Sequence, residues 1–540
     1  MRVRPASLIT RAGLLAVVVV ALVYAAPIQP VGWNETAHYA LVQALADGTP
    51  VIDDHLDSAP TGDKVRIDGH WYSDRAPGLA LWSMPAYGVL ATVGLAGEAP
   101  VRVGPHENDR AIWLLGLWGT VLPGLVLLLL VRSVAERVEP GLGTLAAVTV
   151  GCGTLLLPFA TMFFAHVFAA TLLFGAFTIL FGERRRTGPP RRLALGAAGL
   201  LAGFAITTEY PSALVALVLA GYLLAGEHRM RGALQRLWPY VLGGAVGALP
   251  LALYNQWAFD SVTKVAYSGL PDHQHGFFGI GTPDLGVTVQ LLFTSRGLLT
   301  LAPVLVLAAI GVVLMYKRGW RPEAVAFSAI ALLLLVYNSG YFLPFGGHDP
   351  GPRFLILGLP FAGVALAPAF ARFPGPAVAL AGVSLTTMLI PTMTGPAVPS
   401  DPEAGIWTER LGDGQLQATA LTGLGVDSGW LAWAPVLAAL AVGLVLAARA
   451  SRLPRLSRAQ IGAGVVGLAA WALFAALGPD LLGIDRAAEK IVALGLPVPH
   501  PYGSRPIDTL VLLGAAGGAL ALALQTLRRS SSARPLGESR

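Results

Sequence analysis

The sequence predicts an all-α polytopic membrane protein, and three observations predict it. Of the 540 residues, 54% are hydrophobic and only 13% are charged, with a mean hydropathy of +0.64; soluble domains carry about 25% charged residues. Apolar runs close to the ~20 residues needed to cross a bilayer recur along the whole chain. Arginine and lysine gather in short turns such as Arg184-Arg185-Arg186, Arg191-Arg192 and Lys317-Arg318, on alternate sides of successive runs, as the positive-inside rule requires. A transmembrane barrel would show short alternating segments, and the sequence has none.

Taken in order, the apolar runs place helices at about 8–26, 110–132, 141–160, 166–182, 193–208, 211–226, 237–254, 293–316, 324–343, 354–371, 374–392, 429–449, 459–478 and 508–527. That is a bundle of about 14 spans with both termini cytoplasmic. The first run follows Arg2, Arg4 and Arg11 and reads as an uncleaved signal anchor. Residues 78–97 are apolar but carry Pro85 and several aromatics, so they read as an interfacial or re-entrant helix. Five segments follow: 1–77, the first span and an acidic extracytoplasmic loop with juxtamembrane helices; 78–109, the interfacial helix and a connection; 110–392, the main bundle with an outer loop at 255–292; 393–527, outer loops and C-terminal spans; and 528–540, a cytoplasmic tail. The net charge of +6 comes from helix-orienting turns and does not signal nucleic acid. The single cysteine, Cys152, excludes an intrachain disulfide. No Gly-rich phosphate loop, H-E-x-x-H or G-x-S-x-G occurs, so an ATP-driven pump or a zinc protease has no support.

Chemistry concentrates in the loop from Trp33 to Tyr87. It holds Glu35, Asp47, Asp53, Asp54, Asp57, Asp63, Asp68 and Asp74, and a Tyr72-Ser73-Asp74-Arg75-Ala76-Pro77-Gly78 turn. Pro77 biases Ala76 toward extended backbone and stiffens that turn. Further ionisable residues (His166, Glu209, Arg296 and Arg353) fall at the outer ends of separate helices, where charge is costly and usually faces a cavity or a partner. Asn338 reads as a helix–helix hydrogen-bonding residue.

This layout resembles the GT-C superfamily of membrane glycosyltransferases, in particular the protein O-mannosyltransferase and lipid A aminoarabinose transferase (family 39-like) group. Asn34-Glu35-Thr36-Ala37-His38-Tyr39-Ala40 stands where those families place D-E-x-x-Y-A, and Tyr72-Ser73-Asp74-Arg75-Ala76-Pro77-Gly78-Leu79 stands at their aromatic-Asp-Lys-Pro-Pro-Leu turn. The closest resemblance is to a mainly actinobacterial subgroup with a Y-S-D-K-A-P-G-like motif, matched again at Tyr254-Asn255, Ser295-Arg296-Gly297-Leu298 and Gly351-Pro352-Arg353-Phe354. The resemblance implies an enzyme of the bacterial plasma membrane. It would move a sugar from a polyprenyl-phosphate donor to a hydroxyl acceptor (cell-envelope glycan, glycolipid or protein) on the extracytoplasmic face. The family's first acid, the usual base, is Asn34 here, so Glu35 or one of Asp53 and Asp54 takes that role, or the donor is held differently.

Such a transfer needs a carboxylate to take the acceptor's proton and cations to stabilise the departing phosphate. The catalytic candidates are Glu35, Asp53, Asp54 and Asp74. The substrate-binding candidates are Asn34, Tyr72, Arg75, His166, Glu209, Arg296 and Arg353. Each has a plainer reading: Glu35 as a first-turn acid suited to a helix dipole, Asp53-Asp54 as a solvated acidic turn, Asp74-Arg75 as a local pair, and Glu209 as the ion-pair partner of an arginine. Asp53, Asp54, His55 and Asp57 would also allow a divalent cation, although no metal motif is assigned. Two other functions fit the composition: a transporter or flippase of lipid-linked sugar, and a catalytically inactive assembly partner. A transporter should carry midplane charges on paired broken helices, whereas here the charges collect toward one face.

Overall fold

A computed structural model describes residues 11–96, 101–103, 106–108, 110–226, 229–270, 279–294, 296–347, 349–397 and 407–481, with 514, 517 and 518. The chain is a multi-pass helical membrane protein. Among the described residues, eight helices are long and apolar enough to cross a bilayer, or nine if the bent pair Leu285–Leu301 and Val304–Lys317 forms one span. Four shorter apolar helices accompany them: Arg11–Ala25, Gly143–Cys152, Arg192–Thr208 and Ser212–Leu224. The expected count of about 14 is thus not confirmed among the described residues, and two of the expected spans carry breaks that apolar runs do not reveal. The expected span 141–160 is interrupted after Cys152 and resumes as Leu156–Ala160. The expected span 293–316 is broken ahead of Pro303, whose ring cannot sit inside a helix without loss of a hydrogen bond. The expected span at 508–527, the tail, Ser295 and His348 lie wholly or largely outside the described residues.

Small residues set how tightly the bundle closes. The Arg192–Thr208 helix packs along Met230–Phe259 through Gly199 and Gly203 on one side and Gly243 and Gly247 on the other. A Cβ on Gly199 would sit 1.9 Å from the Tyr240 carbonyl oxygen, and one on Gly247 would sit 2.2 Å from that of Leu200. Only glycine allows backbones to approach that closely, and Thr207 Oγ1 then donates to Gly247 O across the seam at 3.0 Å. The other face of Met230–Phe259 exposes Leu234, Val241, Leu242, Val246 and Leu253, as a lipid-facing helix should. The interior is aromatic: Phe177 meets Phe327 at 5.3 Å and Phe361 at 5.4 Å between ring centroids.

Local chemistry shapes the acidic loop. Pro27 ends the first helix, and Pro27–Ile28 pairs antiparallel with Ala418–Thr419. The helix Trp33–Ala46 follows and is buried from Asn34 through Ala44. Lys64–Ile67 then pairs antiparallel with His70–Ser73. Their two-residue connection is Asp68-Gly69, with φ of 51° and 91°, the left-handed geometry that Asp-Gly favours in tight hairpins. The chain next enters the helix Gly78–Thr92. Gly78 is required by close approach, since a Cβ there would lie 2.4 Å from Thr208 Oγ1. That contact presses the 72–78 turn against the end of the Arg192–Thr208 helix, beside Glu209.

Candidate active site

One end of the bundle gathers charge. Glu35 is the third residue of its helix and is 2% exposed. Its Oε2 accepts the Gly32 N–H at 3.1 Å, while Oε1 has no partner among the described residues. Burial drives its pKa up to about 8; the nearby Asp349 charge adds to the rise, and local N–H donors and Arg353 oppose it. Asn34 Oδ1 is likewise buried without a partner among those residues. One turn along, His38 is buried, and its Nδ1 has no partner among them either. Burial, with Arg75 and Arg353 nearby, pushes its pKa down to about 3, so the imidazole is neutral.

The 72–78 turn supplies the next group. Arg75 forms an ion pair with Asp63 and a second with Asp74, the latter with Nε 2.8 Å from Oδ1. Burial alone would lower the Arg75 pKa, but Asp63 and Asp74 outweigh it and the guanidinium stays charged. Burial raises the Asp74 carboxyl to about 7; Arg75 opposes the rise and Asp63 adds to it. The turn is internally braced, with the Arg75 N–H donating to Ser73 Oγ at 3.3 Å.

The bundle contributes the rest. His166, at the start of the Ala165–Arg184 helix, is buried among Phe159, Phe164 and Phe354 with Nδ1 3.5 Å from Glu209 Oε1. Glu209 follows the last residue of the Arg192–Thr208 helix; burial raises it to about 7 against the pull of Arg353 and Arg75. Arg353 Nη1 binds Asp349 Oδ2 at 2.7 Å, its Nε has no partner among the described residues, and its guanidinium lies over the Phe164 and Phe354 rings. Both amide atoms of the fully buried Asn338 lack partners among the described residues, so the expected helix–helix hydrogen bond is not formed.

Glu35, Asn34, Asp74, Arg75, His166, Glu209 and Arg353 are thus brought to one region, within electrostatic reach of one another. Other candidates are placed elsewhere. Arg296 is turned onto backbone, donating from Nε to Asp349 O at 3.2 Å and from Nη2 to Gly347 O and Asp349 O at 2.5 and 2.6 Å. It clamps the loop that carries Asp349. Asp53 accepts from His70 Nδ1 and from Trp71 N–H, each at 2.7 Å, which pins the hairpin. Burial would raise its pKa, but those hydrogen bonds prevail and lower it. Asp54 is exposed on the same turn. Tyr72 packs on Phe259, ring centroids 5.1 Å apart, in a satellite apolar cluster with Leu41 and Val65. Among the described residues, no group of three or more His, Cys, Asp or Glu is arranged to hold a metal ion.

Three residues that the sequence did not single out belong here. His38 stands one helical turn from Glu35 on the same face, a spacing that could have revealed it. Asp349 stands four residues before Arg353. Asp63 reads as an ordinary turn residue, and nothing local marks it as the partner of Arg75.

No family model matches the chain, and no curated protein is similar to it by sequence. Solved structures of GT-C membrane glycosyltransferases are similar at low identity. ArnT from Cupriavidus metallidurans bound to undecaprenyl phosphate is 16% identical with a TM-score of 0.44, over 96% of this chain and 78% of that one. The archaeal oligosaccharyltransferase AglB from Archaeoglobus fulgidus, in complex with an inhibitory peptide and a dolichol-phosphate, is 13% identical with a TM-score of 0.41. The arabinosyltransferase EmbB from Mycobacterium smegmatis is 12% identical with a TM-score of 0.44. This chain covers 60% of the AglB chain and 42% of EmbB. Likeness at this level carries no argument about reaction or ligand, which must come from the site itself.

Proposed function

We propose that the chain is a membrane glycosyltransferase that moves a sugar from a polyprenyl-phosphate donor to a hydroxyl acceptor at the extracytoplasmic face. The observation that carries this reading is the set of buried, half-satisfied polar groups at one end of the bundle: Glu35 Oε1, Asn34 Oδ1, His38 Nδ1 and Arg353 Nε. Folded proteins rarely leave buried polar atoms unpaired, and those that stay unpaired call for a functional account. A hydroxyl-rich sugar linked to phosphate would match them with both donors and acceptors.

In this reading Glu35 takes the proton of the acceptor hydroxyl as the new glycosidic bond forms. A base whose pKa lies near the working pH is suited to that task. Arg75 and Arg353 stabilise the phosphate as it leaves with the bonding electrons. The acids around them outnumber the arginines. Burial raises Asp74 and Glu209 to about 7, so near neutral pH part of their population is protonated and leaves positive charge on the arginines for the donor phosphate. Neutral His38 and Asn34 offer hydrogen bonds to sugar hydroxyls. Asp63 and Asp74 hold Arg75 in place. The motif resemblance at Asn34–Ala40 and Tyr72–Leu79 supports the same assignment of Glu35 and Arg75.

The test is transfer of radiolabelled sugar from a panel of polyprenyl-phosphate donors by purified protein in lipid, beside Glu35→Gln and Arg75→Ala. Release of polyprenyl phosphate by the wild type, abolished in Glu35→Gln, is the expected result. Donor binding without turnover by any donor would overturn the enzyme reading in favour of a carrier or an inactive partner.

A further inference from the structure

The opposite end of the same helices carries a second, unrelated feature. An open cavity of about 790 Å³ lies between the end of Arg110–Val138, the end of Ala165–Arg184 and the start of Arg192–Thr208. Arg137, Arg191 and Arg192 stand around it, and Ile179, Pro190 and Leu193 give it apolar walls. Leu193 is 90% exposed there. At ~1.5 Å per residue, Arg192 is about 24 Å along its helix from Thr208, so the cavity is remote from the Glu35 site.

The charges around it are unevenly satisfied. Arg191 is held by Glu183, with Nε donating to Oε1 at 2.6 Å. The other nearby acids are engaged elsewhere. Glu136 accepts the Gly141 and Gly143 N–H groups at 2.7 and 2.9 Å, and Glu139 pairs with Arg318. Arg137 and Arg192 therefore have no carboxylate partner among the described residues; Arg192 only lies over the Trp238 ring at 5.6 Å. Two uncompensated guanidiniums at the end of a span, above an apolar wall that runs down into the bilayer region, match one ligand class. Its head is an anionic phosphate and its tail is hydrocarbon, and basic pockets between membrane helices hold such headgroups.

We infer that this cavity binds an anionic phospholipid of the bilayer, with its phosphate on Arg137 and Arg192 and an acyl chain along Ile179 and Leu193. The lipid would tie together three helices, two of which carry His166 and Glu209 at their far ends.

The experiment is native mass spectrometry of detergent-purified full-length protein titrated with phosphatidylglycerol or with phosphatidylcholine, for the wild type and for the double variant Arg137→Gln, Arg192→Gln. Both side chains are exposed, so the variant should fold, and an unchanged melting temperature without lipid confirms it. The wild type should retain phosphatidylglycerol selectively. The variant should bind it about 30-fold more weakly, each arginine near a lipid surface being worth about fivefold. Equal retention of the two lipids by the wild type, or equal phosphatidylglycerol retention by the variant, would overturn the inference. So would displacement of the lipid by millimolar inorganic phosphate, which would identify a site for the free anion. None of these readouts depends on sugar transfer.

Discussion

The two ends of the bundle treat charge in opposite ways. At the arginine-rich end, buried acids are fully engaged. Glu183 accepts from the Arg191 N–H at 3.1 Å as well as from its guanidinium, and Glu323 accepts from Tyr222 Oη at 3.0 Å with Arg185 alongside. At the Glu35 end, one oxygen of Glu35, one ring nitrogen of His38 and Arg353 Nε have no partner among the described residues. A satisfied network rigidifies a fold, whereas a half-satisfied one costs stability and persists where a ligand completes it. The same residue types therefore serve architecture at one end and, on the proposed function, chemistry at the other.

The comparison can be broken most directly by paired substitutions. Glu35→Gln should lower single-turnover sugar transfer by about 10²- to 10⁴-fold, the usual span for loss of a general base, and Arg75→Ala by about 10²- to 10³-fold. Glu183→Gln should leave the rate per folded molecule nearly unchanged, and an equal loss in Glu183→Gln would erase the distinction between the ends.

Next in size is a pH dependence. With Glu35 raised to about 8, its ionised fraction, and hence transfer, should climb about tenfold per pH unit up to about pH 8 and then level off. Stability should move the other way. A carboxyl whose folded pKa exceeds its ordinary 4.5 favours the fold most fully below that pH, and the benefit is lost as pH rises through about 8. Thermal melts across this window should therefore decline less in Glu35→Gln than in the wild type, and parallel declines would remove Glu35 from the account.

A smaller effect sharpens the other end. Glu183→Gln removes charge-assisted hydrogen bonds to a partly exposed arginine and should cost about 1–2 kcal/mol in denaturant unfolding. Glu35→Gln, which replaces a desolvated and half-satisfied acid, should cost less. The smallest change is expected at Asp54, which is exposed. Asp54→Asn should stay within about 0.5 kcal/mol in stability and about twofold in transfer, so a large loss there would return the 53–54 acids to the site.

Some of this site was legible from local pattern. Asp74 and Arg75 are neighbours, and Pro77 stiffens the turn after them, so their pairing needs only local geometry. Helix-end positions of His166, Glu209 and Arg353 follow from where apolar runs stop. The position of Glu35 one turn into a helix followed from its place after the first span. The breaks at 153–155 and before Pro303 did not show as gaps in hydropathy, so the sequence drew each of those segments as one unbroken helix. Arg296 looked like Arg353 in sequence, yet its guanidinium is spent on the Gly347 and Asp349 carbonyls, a contact that depends on how a distant loop folds back.

By itself, the sequence determined a helical membrane protein and an acidic loop after its first span. Each follows from hydropathy and residue type within a short window. Only the tertiary structure decided which charges face each other: Asp63 on Arg75, Asp349 on Arg353, Glu209 beside His166, and His38 left unpaired near Glu35. Those relations depend on helix approach, set by contacts such as Gly78 on Thr208 and Gly199 on Tyr240. Burial then moves the titration of Glu35 to about 8 and of Asp74 to about 7, because the desolvation of a charge is a property of its surroundings and not of its place in the chain.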